Sequence, residues 1–112
     1  MTDHLTPGVS DSPDETNIRR RTVGVFLKEA RESAGLTQRT VADALGYTSP
    51  QFVSNWERGE ALPPMNVLLK LPKLLDLSPR RLLEVIADYQ KEVLLLQKER
   101  WQQLFAQAQH GD

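Results

Sequence analysis

A run of helix start and stop signals between residues 36 and 59 constrains the fold more than any other feature of the chain. Thr37 is suited to cap a helix, because its hydroxyl can accept a hydrogen bond from a backbone N–H of the first turn. Gly46 tolerates the left-handed conformation that ends many helices. Ser49-Pro50 then gives a second start signal, since a proline at the first helical position has no intrahelical bond to lose. The stretch predicts two short helices joined by a tight turn.

Each of the two predicted helices has an apolar face at helical spacing. The apolar residues of the first helix are Val41, Ala42 and Leu45. The core face predicted for the second helix consists of Ser49, Phe52, Val53 and Trp56. Its opposite side combines uncharged polar side chains with one arginine: Gln51, Ser54, Asn55 and Arg58.

The chemistry of this polar side suits the edges of DNA bases. Glutamine and asparagine amides can bond adenine through two hydrogen bonds, serine can bond a donor or an acceptor, and arginine suits guanine or a phosphate. An ordinary solvated face would be richer in lysine and glutamate. On amphipathicity alone, both interpretations stay open: a DNA-recognition helix and a plain polar surface helix.

The motifs LTQ, VADALG and WERG, in this order and spacing, resemble the helix-turn-helix domain of lambdoid repressors and Cro proteins, also called the XRE family. The resemblance covers about Thr22 to Leu83, more than half of the chain. It implies an all-α fold: a five-helix Cro/repressor-like helix-turn-helix domain, here at residues 18–78, followed by a long C-terminal helix extension at residues 79–112.

The resemblance also implies roles for individual positions. Gln51 and Asn55 match base-reading positions of the family, and with Ser49 and Ser54 they are the candidate base-reading residues. The candidate contacts to the DNA backbone within the motif are Thr37, Gln38, Arg39, Thr48 and Arg58. Pro50 stands where the lambdoid repressors often have another base-reading polar residue. The turn must be one residue longer than the family pattern if Val53 and Trp56 are to fill the two core positions of the second helix. Arg31 and Glu57 match a family ion pair between helix 1 and the end of helix 3, which would contribute little if exposed.

The net charge of −1 conceals an uneven distribution. Residues 1–16 carry −4, residues 17–64 carry +2 and residues 65–112 carry +1. Residues 1–17 are polar and acidic, and we expect a flexible tail there. Arg19, Arg20 and Arg21 follow it. They suit either an arm that contacts phosphate or the minor groove, or the solvated start of helix 1, which is predicted over Thr22 to Ala34.

The helices after the motif are marked by prolines. Pro64 is predicted to begin helix 4, and Pro72 inside its apolar pattern predicts a kink or a break. Ser78-Pro79 repeats the cap-and-proline signal and begins a helix expected to reach about Gln109, too long to pack wholly against so small a domain. Its candidate oligomerisation residues are Leu82, Ile86, Tyr89, Val93, Leu94, Leu96, Trp101, Leu104 and Phe105. A hairpin back onto helix 1 is the alternative, and a membrane-surface helix is disfavoured because acids and bases mix on both faces.

These features predict a sequence-specific regulator that binds double-stranded DNA as a homo-oligomer, a dimer or tetramer, at an inverted-repeat operator, typically as a repressor. The alternative is a protein-interaction module, antitoxin-like, whose last helix binds a toxin or another regulator. The chain has no cysteine, and His4 and His110 lie near its two ends, so we expect no metal site, no cofactor and no catalysis. Neither a signal peptide nor a membrane span is indicated. The expected location is the cytoplasm, in association with the nucleoid.

Overall fold

A computed structural model describes residues 15–110, and the side chains of residues 20–110. This part of the chain contains helices and turns and no strand. The helices are α1 (Glu15–Ser33), α2 (Gln38–Leu45), α3 (Gln51–Glu57), α4 (Met65–Leu68), α5 (Leu71–Leu74) and α6 (Pro79–His110). The all-α fold with a long C-terminal helix, expected from the sequence, is confirmed.

The helix boundaries follow the local signals. The Thr37 hydroxyl accepts a hydrogen bond from the Thr40 backbone N–H at 3.0 Å, which caps α2. Gly46 ends that helix with a φ of 86°, in the left-handed region that glycine adopts without a steric penalty. Ser49 Oγ accepts the Gln51 backbone N–H at 3.1 Å at the start of α3. The predicted start and stop of α2 are therefore confirmed, whereas α3 begins one residue later than predicted, with Pro50 in the capping position.

Helix α1 begins earlier than the sequence predicted, at Glu15 and not near Thr22. The prediction missed this start because the residues between the two positions lack the apolar periodicity on which it relied. The acidic side chain at the N-terminus interacts favourably with the helix dipole. The last residues of the predicted tail, 15–17, are therefore helical, while residues 1–14 lie outside the described part. The three arginines lie within α1, as the helix alternative predicted, and do not form an extended arm.

The predicted fourth helix is broken into two. Helix α4 ends at Leu68, and α5 begins at Leu71 with Pro72 in its first turn. Because proline has no backbone N–H to donate to the preceding turn, a continuous helix would lose a bond here. The expected break at Pro72 is confirmed, and it lets two short helices close one end of the core.

The core is formed by residues from every helix. Its buried members are Val23, Leu27, Val41, Ala42, Val53, Trp56, Val67, Leu71, Leu75 and Leu82. The assignment of Val53 and Trp56 to the core, which required the longer turn, is confirmed. The assignment of Phe52 was wrong, because 51% of its surface is exposed. Helix α3 is short and turns about 100° per residue, so Phe52 lies beside the core face and stacks on Tyr47, with ring centroids 4.9 Å apart.

The first half of α6 packs against α1. Arg81 lies over the Phe26 ring at 5.4 Å, and Val85 and Tyr89, further along α6, line a shallow pocket together with residues of α1. Leu82 is buried, and Ile86 and Tyr89 pack against the core. All three residues were predicted to meet a second chain. For Leu82 this prediction is corrected, because its side chain is buried in the domain's own core, whereas Ile86 and Tyr89 keep part of their surface exposed.

The second half of α6 extends away from the domain. From Gln97 to His110 every residue is exposed, including Trp101, Leu104 and Phe105. Val93 and Leu96 are half-buried, whereas Leu94 is exposed. A helix of 32 residues is about 48 Å long at 1.5 Å per residue, which accounts for most of the 59 Å length of the molecule.

Candidate nucleic-acid interface

The position of α3 is fixed by a close crossing with α1. A Cβ atom added to Gly24 would lie 2.5 Å from the carbonyl oxygens of both Trp56 and Glu57. Glycine is therefore required at this point of α1, since any side chain would push the two backbones apart. The crossing holds the C-terminal end of α3 against α1 and leaves the opposite side of α3 at the surface.

A buried ion pair joins α1 and α3 next to this crossing. Arg31 Nε donates to Glu57 Oε2 at 2.6 Å, and Arg31 Nη2 donates to Glu57 Oε1 at 3.0 Å. The hydrogen bonds to Glu57 outweigh desolvation and raise the pKa of Arg31 above its ordinary value. Both residues are buried, so this pair differs from the weak exposed one considered from the sequence.

The same carboxylate holds the start of α2. Gln38 Nε2 donates to Glu57 Oε1 at 2.9 Å. Gln38 was predicted to contact a phosphate. One of its amide hydrogens is bonded to Glu57, so its second amide hydrogen and its amide oxygen remain free to bind another group. Glu57 thus connects three helices, and it places the N-terminus of α2 beside the C-terminal end of α3.

The exposed side of α3 carries a ladder of polar side chains. Gln51 Nε2 donates to Asn55 Oδ1 at 2.9 Å, and Arg58 Nη2 donates to the same oxygen at 2.9 Å. Arg58 Nη1 also donates to Ser54 Oγ. The structure therefore brings together three of the four predicted base-reading residues and one predicted backbone contact in one network.

The network determines which groups remain free for a base. Asn55 Oδ1 already accepts two hydrogen bonds, whereas Gln51 keeps its amide oxygen and its second amide hydrogen. A two-bond contact to adenine requires both an acceptor and a donor on one amide. Gln51 has this combination, and Asn55 holds it in place while offering its own amide hydrogens to a neighbouring acceptor.

Arg58 is further restrained by a residue that the sequence analysis did not select, Glu60. Arg58 Nε donates to Glu60 Oε2 at 3.0 Å, and Arg58 Nη2 lies 3.3 Å from Glu60 Oε1. The hydrogen bond raises the pKa of Arg58 and lowers the pKa of Glu60. Both side chains are exposed, so the pair orients the guanidinium without contributing much to stability.

The remaining predicted contacts flank this ladder. Arg39 Nη1 lies 3.4 Å from the Thr48 carbonyl oxygen, across the turn between α2 and α3. Arg39 also lies 4.0 Å from Asp43. Thr37 is engaged as the cap of α2, and the hydroxyl of Ser49, predicted to read a base, accepts the Gln51 backbone N–H just before α3. The hydroxyls of these two residues therefore have structural roles at helix ends.

Of the three consecutive arginines near the start of α1, Arg20 and Arg21 lie near the end of α3. Arg20 Nε donates to the Gly59 carbonyl oxygen at 3.2 Å, and Arg21 is exposed. A Cβ atom added to Gly59 would lie 2.6 Å from the Arg21 Cα, so the two backbones are close. The side chain of Arg19 lies outside the described residues. Arg20 and Arg21 therefore bring positive charge to the turn that follows α3.

Comparisons with known proteins agree with this geometry. The profile of a family described as "Helix-turn-helix" matches residues 27–82, which is half of the chain. The chain belongs to the XRE family of helix-turn-helix proteins. Members of this family are DNA-binding transcription regulators, and the matched segment contains α2 to α5 with the end of α1 and the start of α6.

Relatives within and beyond bacteria are similar to part of this XRE-family chain. The chain is 41% identical over 61 residues to "HTH-type transcriptional regulator ImmR" of Bacillus subtilis, covering 54% of this chain and 47% of the relative. It is 35% identical over 74 residues to "Uncharacterized HTH-type transcriptional regulator YqaE" of the same species, covering 61% and 63%. It is 34% identical over 58 residues to human "Endothelial differentiation-related factor 1", covering 52% and 38%.

The chain thus spans between about a third and two thirds of the length of these relatives. No solved structure matches it significantly. Within residues 15–110, no helix is long and apolar enough to cross a membrane, and no group of three His, Cys, Asp or Glu side chains is placed to hold a metal ion.

Proposed function

We propose that the protein is a sequence-specific regulator of transcription that binds double-stranded DNA with α3 in the major groove. The observation that carries the proposal is the ladder of Gln51, Asn55 and Arg58. These side chains are exposed enough to reach a base pair, and they are held by one another so that little side-chain entropy is lost on binding. Family membership supports the same function.

The contacts divide into those that read bases and those that position the domain. Gln51 and Asn55 lie on the exposed face of α3 and would read base edges. Gln38 and Arg39, at the N-terminus of α2, would bind phosphates together with the free backbone N–H groups of that helix end. The chain would act as a homo-oligomer at an inverted repeat and repress a promoter by occupying it, with one α3 in each of two successive major grooves.

Three alanine substitutions test this division. Gln51→Ala and Asn55→Ala should each lose discrimination at particular base pairs, by about 1–3 kcal/mol, because a hydrogen-bonded base contact is removed. Gln38→Ala should weaken binding to every sequence alike. Fluorescence anisotropy with duplexes that differ by single base pairs measures both effects, and circular dichroism checks that each variant is folded. If all three substitutions act uniformly across sequences, the proposed orientation of α3 is wrong.

A second candidate function is favoured by the exposed second half of α6. Trp101 and Phe105 are solvent-exposed and close to each other, with ring centroids 6.0 Å apart. Such a surface could bind a heterologous protein, for example a toxin or another regulator, and the domain would then serve an antitoxin-like module. Sedimentation of the purified chain discriminates the two functions, because a homo-oligomeric regulator associates without any other protein.

A further inference from the structure

Helix α6 has two neighbouring apolar seams, and the domain uses only one of them. The seam at Leu82, Ile86 and Tyr89 faces the core. A second series of positions, shifted by one residue from the first, continues along the helix with alternating spacings of four and three residues. This series, which we call the free seam, consists of Leu83, Ala87, Gln90, Leu94, Gln97, Trp101, Leu104 and Ala108. All eight residues are exposed. The alternation is the pattern by which one helix packs lengthwise against another.

An open apolar groove adjoins one end of the free seam. It lies between α6 and the pair α4 and α5, with Leu83 and Ile86 on one side and Met65, Leu69 and Pro72 on the other. Its volume is about 520 Å³. Met65 and Leu69 are 68% and 75% exposed, which is unusual for large apolar side chains bordering a groove. The domain therefore presents an unfilled apolar site at residues 83–86 and exposed aromatic side chains at residues 101–105.

We infer that a second copy of the chain covers both surfaces, through antiparallel pairing of the two free seams. This inference deepens the homo-oligomeric regulator proposed above and rests on it. The free seam is symmetric about a point between Leu94 and Gln97, since eleven residues, about 16 Å, separate Leu94 from Leu83 and Gln97 from Ala108. Antiparallel pairing about this point brings Leu104 and Ala108 of the second copy level with Ala87 and Leu83, beside the groove.

The antiparallel arrangement also gives the polar residues of the seam suitable neighbours. Gln90 of one copy lies level with Trp101 of the other, so the glutamine amide oxygen can accept the indole N–H, which needs a partner once buried. A parallel pair would place Trp101 against Trp101 and Gln90 against Gln90. It would also put the second halves of both helices beyond both domains, where they could not reach either groove.

The apolar surface is large enough for a stable pair. Seven large side chains contribute to it: Met65, Leu69, Leu83, Leu94, Trp101, Leu104 and Phe105. Each is 40–75% exposed. At on the order of 100 Å² apiece they supply about 700 Å² per copy, close to the ~800 Å² per partner that a typical specific interface buries.

Two adjacent leucines provide a matched test. Leu94 lies in the free seam, and Leu95 is turned about 100° away from it; both are exposed, at 65% and 49%. Sedimentation equilibrium of the full chain should show a dimer, which Leu94→Glu weakens about 30-fold or more and Leu95→Glu leaves nearly unchanged. Circular dichroism checks that both variants keep their helices. A monomeric wild-type chain, or equal weakening by both substitutions, would overturn the inference.

The orientation and the groove need separate tests. Because the chain has no cysteine, Leu83→Cys and Ala108→Cys can be oxidised alone and as a mixture. The antiparallel pair predicts a disulfide-linked dimer mainly in the mixture, whereas efficient cross-linking of Ala108→Cys with itself would contradict it. Leu69→Ser should weaken the dimer, while Val25→Ser, an exposed valine on α1, should not. Equal effects of these two substitutions would show that the groove is not occupied.

These measurements contain no DNA, so their outcome is separate from that of the proposed function. A dimer with the predicted cross-links that selects no DNA motif would support the pairing and contradict the proposed regulator function. A monomer that selects a single half-site would support DNA recognition and contradict the pairing.

Discussion

Helix α3 and the second half of α6 differ in what stabilises them as helices. Helix α3 has seven residues, too few to be stable in water alone, and depends on Trp56, Val53 and Glu57 being buried by its neighbours. The second half of α6 continues a 32-residue helix, and from Gln97 to His110 every residue of it is exposed. The short helix is thus fixed in position by its own domain, whereas the exposed apolar surface of the long one still requires a partner.

This difference matches the two parts of the proposed function, which are the reading of bases by α3 and the association of two copies through α6. A side chain that reads a base must be held accurately relative to the domain, and the contacts of Glu57 and Gly24 provide this at α3. A surface that joins two copies must be exposed in the free chain. The same substitution placed in each region therefore has different expected effects, and this gives the predictions their controls.

The largest expected effect comes from the ion pair at α3. Glu57→Gln should lower the free energy of unfolding by about 3 kcal/mol, because it leaves the buried guanidinium of Arg31 without its counter-charge. The matched control is Glu99→Gln in the exposed half of α6, which should change stability by less than about 0.5 kcal/mol. Urea denaturation at one protein concentration measures both. Similar decreases in the free energy of unfolding of the two variants would contradict the claim that the ion pair at α3 stabilises the fold more than an exposed residue of α6.

A smaller effect is expected at Glu60. Glu60→Gln should free Arg58 for a phosphate and steepen the dependence of log affinity on log salt by about 0.9, the value for one additional phosphate contact. Glu99→Gln changes the net charge equally at a distance from α3, so its salt dependence should stay that of the wild type. Titration of anisotropy against salt with one duplex measures the slopes. Equal slopes in all three proteins would show that Glu60 does not restrain Arg58.

The Arg58–Glu60 pair should persist at neutral pH. Hydrogen bonds from Arg58 lower the pKa of Glu60 below its ordinary value of 4.5. The carboxylate is therefore ionised at neutral pH and releases Arg58 only when the pH falls through this lowered pKa. The Glu60→Gln variant imitates the released state without acid.

The sequence predicted those features that are set locally. Thr37, Gly46 and Ser49 mark helix ends by bonds to their immediate neighbours, and the positions of Val53 and Trp56 followed from helical spacing. Phe52 was misplaced because periodicity cannot tell a residue at the centre of a core face from one at its margin. Glu60 was missed because its partner becomes apparent only when the turn after α3 is folded.

The face of α6 that meets the domain could not be chosen from the sequence. Two seams one residue apart both carry apolar side chains at alternating spacings of four and three. For the first half of α6 the sequence analysis selected the seam that the domain uses for itself, and only Leu94, Trp101 and Leu104 of its selection lie in the free seam. Only the packing of α6 against α1 shows that Leu82 is internal while Leu83 and Leu94 are free. The burial of Arg31 and Glu57 is likewise a tertiary property, although the resemblance predicted the pair.

In-vitro selection from random double-stranded DNA with the purified full-length chain, at near-physiological salt, tests the central claim most directly. The account predicts enrichment of an inverted repeat whose half-sites lie about one helical turn, roughly 10 base pairs, apart. Recovery of no motif, with binding that disappears on a modest increase in salt, would contradict it, because α3 would then hold the chain on DNA only through phosphates.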